Sequence, residues 1–333
     1  MQTLIRAVVH QNFNQSIRCF STRKSPVRRS YLYVPSSSDK LLEKSLTVKS
    51  DVIIYDLEDS VSPAFTDKEN ARNRLYSFFQ LQRKDIPQPE RIAVRVNGIN
   101  TPFFQQDIAH ILQSSSVRTL ILPKIHSAQD LHYVSRHIHQ TYQKYPKEIP
   151  LRIIPSIESA RALWNLGSIA GWKSEHGALN GGTVSGLLFA AEDYCADTSI
   201  LRTRSRQELL YTRSQIAIAA KAFGLEAIDM VCIHYKDLEY LQDECEDGRR
   251  LGFSGKATIH PTQIEIIQNT FVPTAEEILR AAKILHGMRA AHASQKGAIG
   301  LDGEMIDAPM IKEATKIIEI AKEAGLEVPQ IDS

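Results

Sequence analysis

No stretch of the 333-residue chain approaches the roughly eighteen uninterrupted apolar residues of a membrane-spanning helix; even the apolar run at Asp51 to Glu58 meets a charge within a few positions. Four cysteines, Cys19, Cys195, Cys232 and Cys245, lie far apart, without the paired spacing of a zinc site and too few to staple a disulfide scaffold. Free thiols in a reducing compartment are expected. The glycine fingerprint of a dinucleotide site is missing after the first strand candidate, where Pro35-Ser36-Ser37-Ser38 stands, and no GxxxxGK[ST] phosphate loop occurs. Nicotinamide and P-loop chemistry are therefore disfavoured. A net charge of +2 argues against a general nucleic-acid binder.

Acidic residues are absent from the first 38 positions, which carry Arg6, Arg18, Arg23, Lys24, Arg28 and Arg29. Beyond them the balance reverses to 34 basic against 38 acidic side chains. Arginine and serine without acid, among scattered apolar residues, is the composition of a mitochondrial transit peptide, and no apolar run is long enough for a secretory signal. Arg18-Cys19-Phe20-Ser21 is similar to a matrix-peptidase site, so a leader over residues 1–20 and a matrix location are expected. The competing reading is a disordered basic tail that binds phosphate surfaces.

From Tyr31 onward, short β-branched runs alternate with longer amphipathic segments. The strand candidates are YLYVP from Tyr31, DVIIYDLED from Asp51, RIAVRVNG from Arg91, TLILPKI from Thr119, LRIIPSIES from Leu151, GLLFAAEDY from Gly186, AIDMVCI from Ala227 and GKATIHP from Gly255. Most are continuously apolar, as when both faces of a parallel strand are buried. Capping boxes are expected at Thr66 to Glu69, Ser205 to Glu208 and Thr274 to Glu277, a cap at Thr101-Pro102, and helix stops at Gly224 and Gly252. Eight strand-helix units fit an α/β protein built as a (β/α)8 TIM barrel, over residues 29–272; a doubly wound open sheet is the rival. Residues 273–333 add a helix, the loop Gly297 to Gly303 and a last helix, which reads as a lid or subunit-contact extension.

In a barrel the C-terminal ends of the strands converge on one mouth. The polar residues fall there: Asp56, Glu58 and Asp59, then Arg95 and Asn97, Lys124, Glu158, Glu192 and Asp193, and His260. Glu158 and Asp193 are the candidate metal ligands, because carboxylates from neighbouring strands, with water and substrate oxygens completing the shell, suit Mg²⁺. Each could instead cap a helix or pair with an arginine. Arg95 should face the mouth, where a guanidinium binds a carboxylate with two hydrogen bonds, or an ion pair with Asp56 or Glu58. Lys124 leaves an imine-forming aldolase open. His260 reads as a hydrogen-bonded structural anchor.

Taken in order, YLYVP, DLEDSV with Lys68 and Ala71-Arg72, RVNG, LPKI, IESARAL, AEDY, GKATIHPTQ and GEMIDAP resemble the citrate lyase β-subunit-like branch of the HpcH/HpaI aldolase family, over about Arg29 to Pro309. The resemblance implies a Mg²⁺-dependent lyase that breaks a carbon-carbon bond next to an acyl-CoA thioester, as in (S)-citramalyl-CoA giving acetyl-CoA and pyruvate. It implies Glu158 and Asp193 as metal ligands and Arg95 as the contact to the acid portion. It also implies Asp307 as a catalytic carboxylate carried on the lid to a neighbouring subunit of a homotrimer, although from sequence alone Asp307 reads as an N-cap. Arg29 and Lys40 are the CoA-binding candidates; relatives often have Val-Pro-Gly where Ser36 follows Pro35 here. Malyl-CoA and citryl-CoA remain in contention as substrates, as do a malate-synthase-type condensation of acetyl-CoA with glyoxylate and a non-catalytic acyl-CoA-binding protein.

Overall fold

The computed structural model describes residues 27–81, 86–293, 298–301 and 303–331, and the expected leader lies outside them. Strands β1 (Ser30–Pro35), β2 (Val52–Asp56), β3 (Ile92–Arg95), β4 (Thr119–Leu122) and β5 (Arg152–Ile157) pair in parallel, each with the next. The sixth stave is split at Ser185 into β6 (Thr183–Val184) and β7 (Gly186–Phe189), which pair with the beginning and the end of β5 respectively. β8 (Glu226–Asp229) and β9 (Gly255–Thr258) follow, and β9 pairs with β1. The ring closes, so the barrel reading holds and the open sheet does not.

Alternation along each strand fixes what the barrel encloses. Tyr31, Val52, Ile54, Ala93, Ile121, Ile154, Leu188, Ile228 and Ala257 form one interior cluster, every stave contributing to it. The opposite faces, with Leu32, Ile53, Val94, Leu120, Ile153 and Leu187 among them, pack against the surrounding helices in a second cluster. At the N-terminal end, the Tyr31 hydroxyl donates to Glu226 Oε2 at 2.8 Å and Arg152 Nη2 donates to Glu226 Oε1 at 2.7 Å, closing the floor with paired charge.

Asp229 and Lys256 point outward from β8 and β9 into a fully buried ionic network. Lys256 Nζ lies 2.8 Å from Glu244 Oε1 and donates to the Met230 carbonyl at 2.6 Å, while Arg213 Nη2 meets Asp229 Oδ2 at 2.8 Å. Breaking a buried pair strands its partner's charge, so Lys256→Met should lower the unfolding free energy by about 3 kcal/mol. A urea unfolding midpoint equal to that of the wild type would refute this.

Several helix starts differ from expectation. The helix Phe65–Gln80 begins after Ala64 rather than at Thr66, and Phe103 precedes the helix Phe104–Ile111 while Thr101 closes a turn onto Gly98. Glu208 bonds Thr203 instead of completing a box with Ser205. Thr274 and Glu277 do exchange both capping bonds, and Gly224 and Gly252, at φ of 67° and 99°, end their helices as glycine permits.

The C-terminal extension has its own apolar cluster, built from Ile278, Ala281, Ile284, Met288, Ile306, Ala314 and Ile318. It consists of the helix Ala275–Ala293, an antiparallel hairpin of β10 (Ile299–Leu301) and β11 (Glu304–Ile306), and the helix Ala308–Glu323.

Candidate active site

The interior alternation that seats Ile54, Ala93 and Ile154 in the core puts Asp56, Arg95 and Glu158 on the same face, further along each strand at the mouth. Asp56 and Arg95 are direct partners in the β2–β3 register. Arg95 donates from Nε to Asp56 Oδ1 and from Nη2 to Asp56 Oδ2, both at 2.7 Å, and its guanidinium lies over the Tyr33 ring at 4.7 Å. Burial alone would raise the Asp56 carboxyl and lower the Arg95 guanidinium; their pairing outweighs it, so Asp56 is held below the usual carboxylate range and Arg95 well above its own. Both sequence readings of Arg95 are thus compatible: one edge is clamped, and Nη1 faces Glu58 at 2.9 Å and Asp59 at 3.3 Å.

Glu58 is the site residue whose state the sequence did not foretell. It is buried, and desolvation, with Asp59 and Glu158 nearby, pushes its carboxyl up to about 8 against the pull of Arg95 and Lys124. A carboxyl that binds its proton more tightly folded than unfolded adds stability below its unfolded value near 4.5, and that stability is lost as pH rises toward 8. Glu58→Gln should therefore gain thermal stability relative to the wild type between pH 5 and pH 8.5. A difference in melting temperature that does not change over that window would contradict the assignment.

Lys124 follows β4 with φ of 56°, a left-handed conformation that costs a non-glycine residue on the order of 1–3 kcal/mol. Its backbone N–H donates to Glu158 Oε2 at 3.1 Å, and its ammonium sits 2.6 Å from Asp193 Oδ1 and 3.2 Å from Glu158 Oε2. Glu158 is only 4% exposed at the end of β5, whereas Asp193 stands half-exposed in the first turn of the helix Ala191–Thr198 after β7. Burial pushes Glu158 up while Lys124 pulls it down; burial would lower Lys124, but Asp193 and Glu158 raise it well above its ordinary value. An imine-forming lysine needs a depressed value, so this environment disfavours the Schiff-base route.

Among the described residues no group of three or more His, Cys, Asp or Glu is placed to hold a metal. The two carboxylates fit a hard divalent ion nonetheless: their oxygens converge on one cationic atom, and Mg²⁺ commonly takes one or two carboxylates and fills its octahedron with water and substrate. Behind this cluster Lys68 Nζ donates to the Leu57 and Glu58 carbonyls, and Asp107 holds Arg72 and the Asn97 amide, fixing the loop that carries Glu58 and the connection that follows Arg95.

The remaining candidates fall elsewhere. Lys40 is exposed at the start of the helix Asp39–Ser45, on the mouth side of β1. Arg29 precedes β1 at the opposite end of the barrel, where Nε and Nη2 pair with Asp51 at 2.9 and 3.0 Å and Nη1 donates to the Gln268 carbonyl. It is a structural tie across the barrel floor, which corrects the expectation that it contacts CoA. His260 Nδ1 accepts the Thr262 amide as a cap and lies 2.8 Å from the Thr262 hydroxyl, in keeping with an anchoring role. Asp307 is exposed between the hairpin and the last helix, at the N-cap position, yet its side chain makes no capping hydrogen bond.

A closed parallel barrel with an acid-guanidinium-carboxylate mouth defines a barrel enzyme of the aldolase kind. Comparison with known proteins gives the family: residues 29–261 match the model of HpcH/HpaI aldolase/citrate lyase, and the chain belongs to that family of carbon-carbon lyases. It is 32% identical over 302 residues to the mitochondrial citramalyl-CoA lyase of Rattus norvegicus, covering 90% of this chain and 88% of that protein. It is 31% identical to the citrate lyase subunit beta of Leuconostoc mesenteroides subsp. cremoris, covering 89% and 93%. Among solved structures, the protein CitE of Mycobacterium tuberculosis in complex with magnesium, acetoacetate and coenzyme A is 28% identical with a TM-score of 0.68, over 90% of this chain and 98% of that one.

Proposed function

We propose that this chain is a Mg²⁺-dependent lyase of the mitochondrial matrix that cleaves (S)-citramalyl-CoA to acetyl-CoA and pyruvate. The observation that carries the reading is the convergence of Glu158 and Asp193 on a single cation beside the clamped Arg95. Similarity to mitochondrial citramalyl-CoA lyases and to a relative solved with magnesium and coenzyme A supports the substrate, the metal and the compartment. The basic, acid-free leader composition is consistent with the last of these.

Glu158 and Asp193 would hold the ion, which when bound supplies Lewis-acid stabilisation of negative charge on the substrate's oxygens. Arg95, held by Asp56, would turn Nη1 from Glu58 and Asp59 to the acid half of the substrate and stabilise charge as it develops. Lys40, exposed in the first turn of the helix after β1, would meet the CoA portion. Asp307, just after a hairpin that exposes Met305, would serve the acetyl carbon of a neighbouring subunit in a homotrimer as its proton carrier.

The test is a substrate panel: the full chain with MgCl₂ and, separately, (S)-citramalyl-CoA, malyl-CoA and citryl-CoA, following acetyl-CoA release. Citramalyl-CoA should give the highest kcat/KM, with the single methyl worth about 10- to 200-fold over malyl-CoA. Cleavage of none of the three would refute the reading.

A further inference from the structure

The ammonium of Lys124 lies between the two carboxylates read above as the metal seat. It reaches Asp193 and Glu158 together, and three features show that this placement is built rather than incidental. The backbone at Lys124 is held left-handed, where a β-branched or other ordinary side chain is disfavoured, and this turn also directs its N–H onto Glu158 Oε2. Gly98, on the connection after β3, leaves room for the lysine stem: a Cβ there would lie 3.3 Å from Lys124 Cγ. Even while paired with both carboxylates the side chain is 38% exposed and so has solvent to move into, whereas Glu158 beneath it is buried.

We propose that Lys124 is a displaceable counter-cation: it keeps the carboxylate pair assembled and neutralised in the metal-free protein, and an arriving divalent ion must expel it. This rests on the reading of Glu158 and Asp193 as the metal seat. The physical basis is competition for the same oxygens. A buried carboxylate without a cation is costly, so the lysine stabilises the empty site. The ion has to replace that interaction, so the lysine also weakens metal binding. Lys124 thus sets the metal affinity without being a ligand.

Opposite signs distinguish this from an ordinary structural role. In calorimetric titration of the metal-stripped full chain with MgCl₂, Lys124→Gln should bind about 2- to 5-fold more tightly than the wild type, the range expected when a partly exposed ion pair no longer competes. The same variant should melt at a lower temperature than the wild type in EDTA, and the deficit should shrink at saturating MgCl₂. Lys124→Arg, which keeps a cation in the seat, should show no tightening. Equal or weaker Mg²⁺ binding by Lys124→Gln overturns the proposal while leaving the metal seat intact, provided Glu158→Gln abolishes the binding heat. If Glu158→Gln binds as the wild type does, or if no variant binds, the metal seat itself is wrong and the proposal falls with it.

Discussion

Glu158→Gln is expected to lower kcat/KM by on the order of 10³-fold and to abolish Mg²⁺ binding, with the fold intact. Lewis-acid stabilisation of a developing charge is worth several kcal/mol, and each 1.36 kcal/mol is tenfold in rate, so loss of a principal ligand reaches this size. Folding should be spared because burial already works against the Glu158 charge. A neutral amide of the same shape removes that desolvation cost as it removes the ion pair with Lys124. Turnover within tenfold of the wild type, together with retained Mg²⁺ binding, would take Glu158 out of the site.

Asp307→Asn should cost about 10²- to 10⁴-fold in kcat, the range for a positioned general acid or base, while leaving the melting temperature unchanged. Asparagine is as good an N-cap as aspartate, and the Asp307 side chain makes no capping bond to lose. Because the extension packs as a cluster of its own, the decisive arm is complementation. If Asp307 acts in a neighbour's site, as proposed, co-expression of Glu158→Gln and Asp307→Asn chains should restore activity, since a mixed oligomer would contain some sites with an intact Glu158 from one chain and an intact Asp307 from the other. No recovery in a demonstrably mixed oligomer would mean that Asp307 does not act in a neighbour's site.

How far the sequence carried these results depended on whether the signal was periodic or conformational. Strand positions were legible because parallel strands buried on both faces read as continuous apolar runs, and the residue two beyond Ile54, Ala93 or the Ile154-Ser156 pair had to face the mouth. The sixth stave's break at Ser185 carried no such signal. Arg29 was misread because a basic residue beside a strand looks alike as ligand or ion-pair partner; its place before β1, hence at the barrel floor, and Asp51 before β2 were the available clues. Glu58 was visible as a charge, but the upward push on its carboxyl comes from burial, with Asp59 and Glu158 nearby, against the pull of Arg95. Lys124 was visible as a strand-end lysine, whereas the left-handed turn that aims it at two carboxylates is absent from any reading of Pro123-Lys124-Ile125. The failed caps at Thr66 and Thr101 show tertiary placement of a helix start overriding a local pattern.

The central claim, metal-dependent carbon-carbon cleavage at this mouth, is tested most directly by single-turnover cleavage of (S)-citramalyl-CoA by the full chain. Three arms are needed: with MgCl₂, after stripping with EDTA, and after treatment with borohydride in the presence of pyruvate. Release of acetyl-CoA and pyruvate with MgCl₂, its loss in EDTA with recovery on adding Mg²⁺ back, and survival of borohydride are the predicted results. Cleavage that persists in EDTA and is lost to borohydride would contradict the account and return Lys124 to the role of an imine-forming residue.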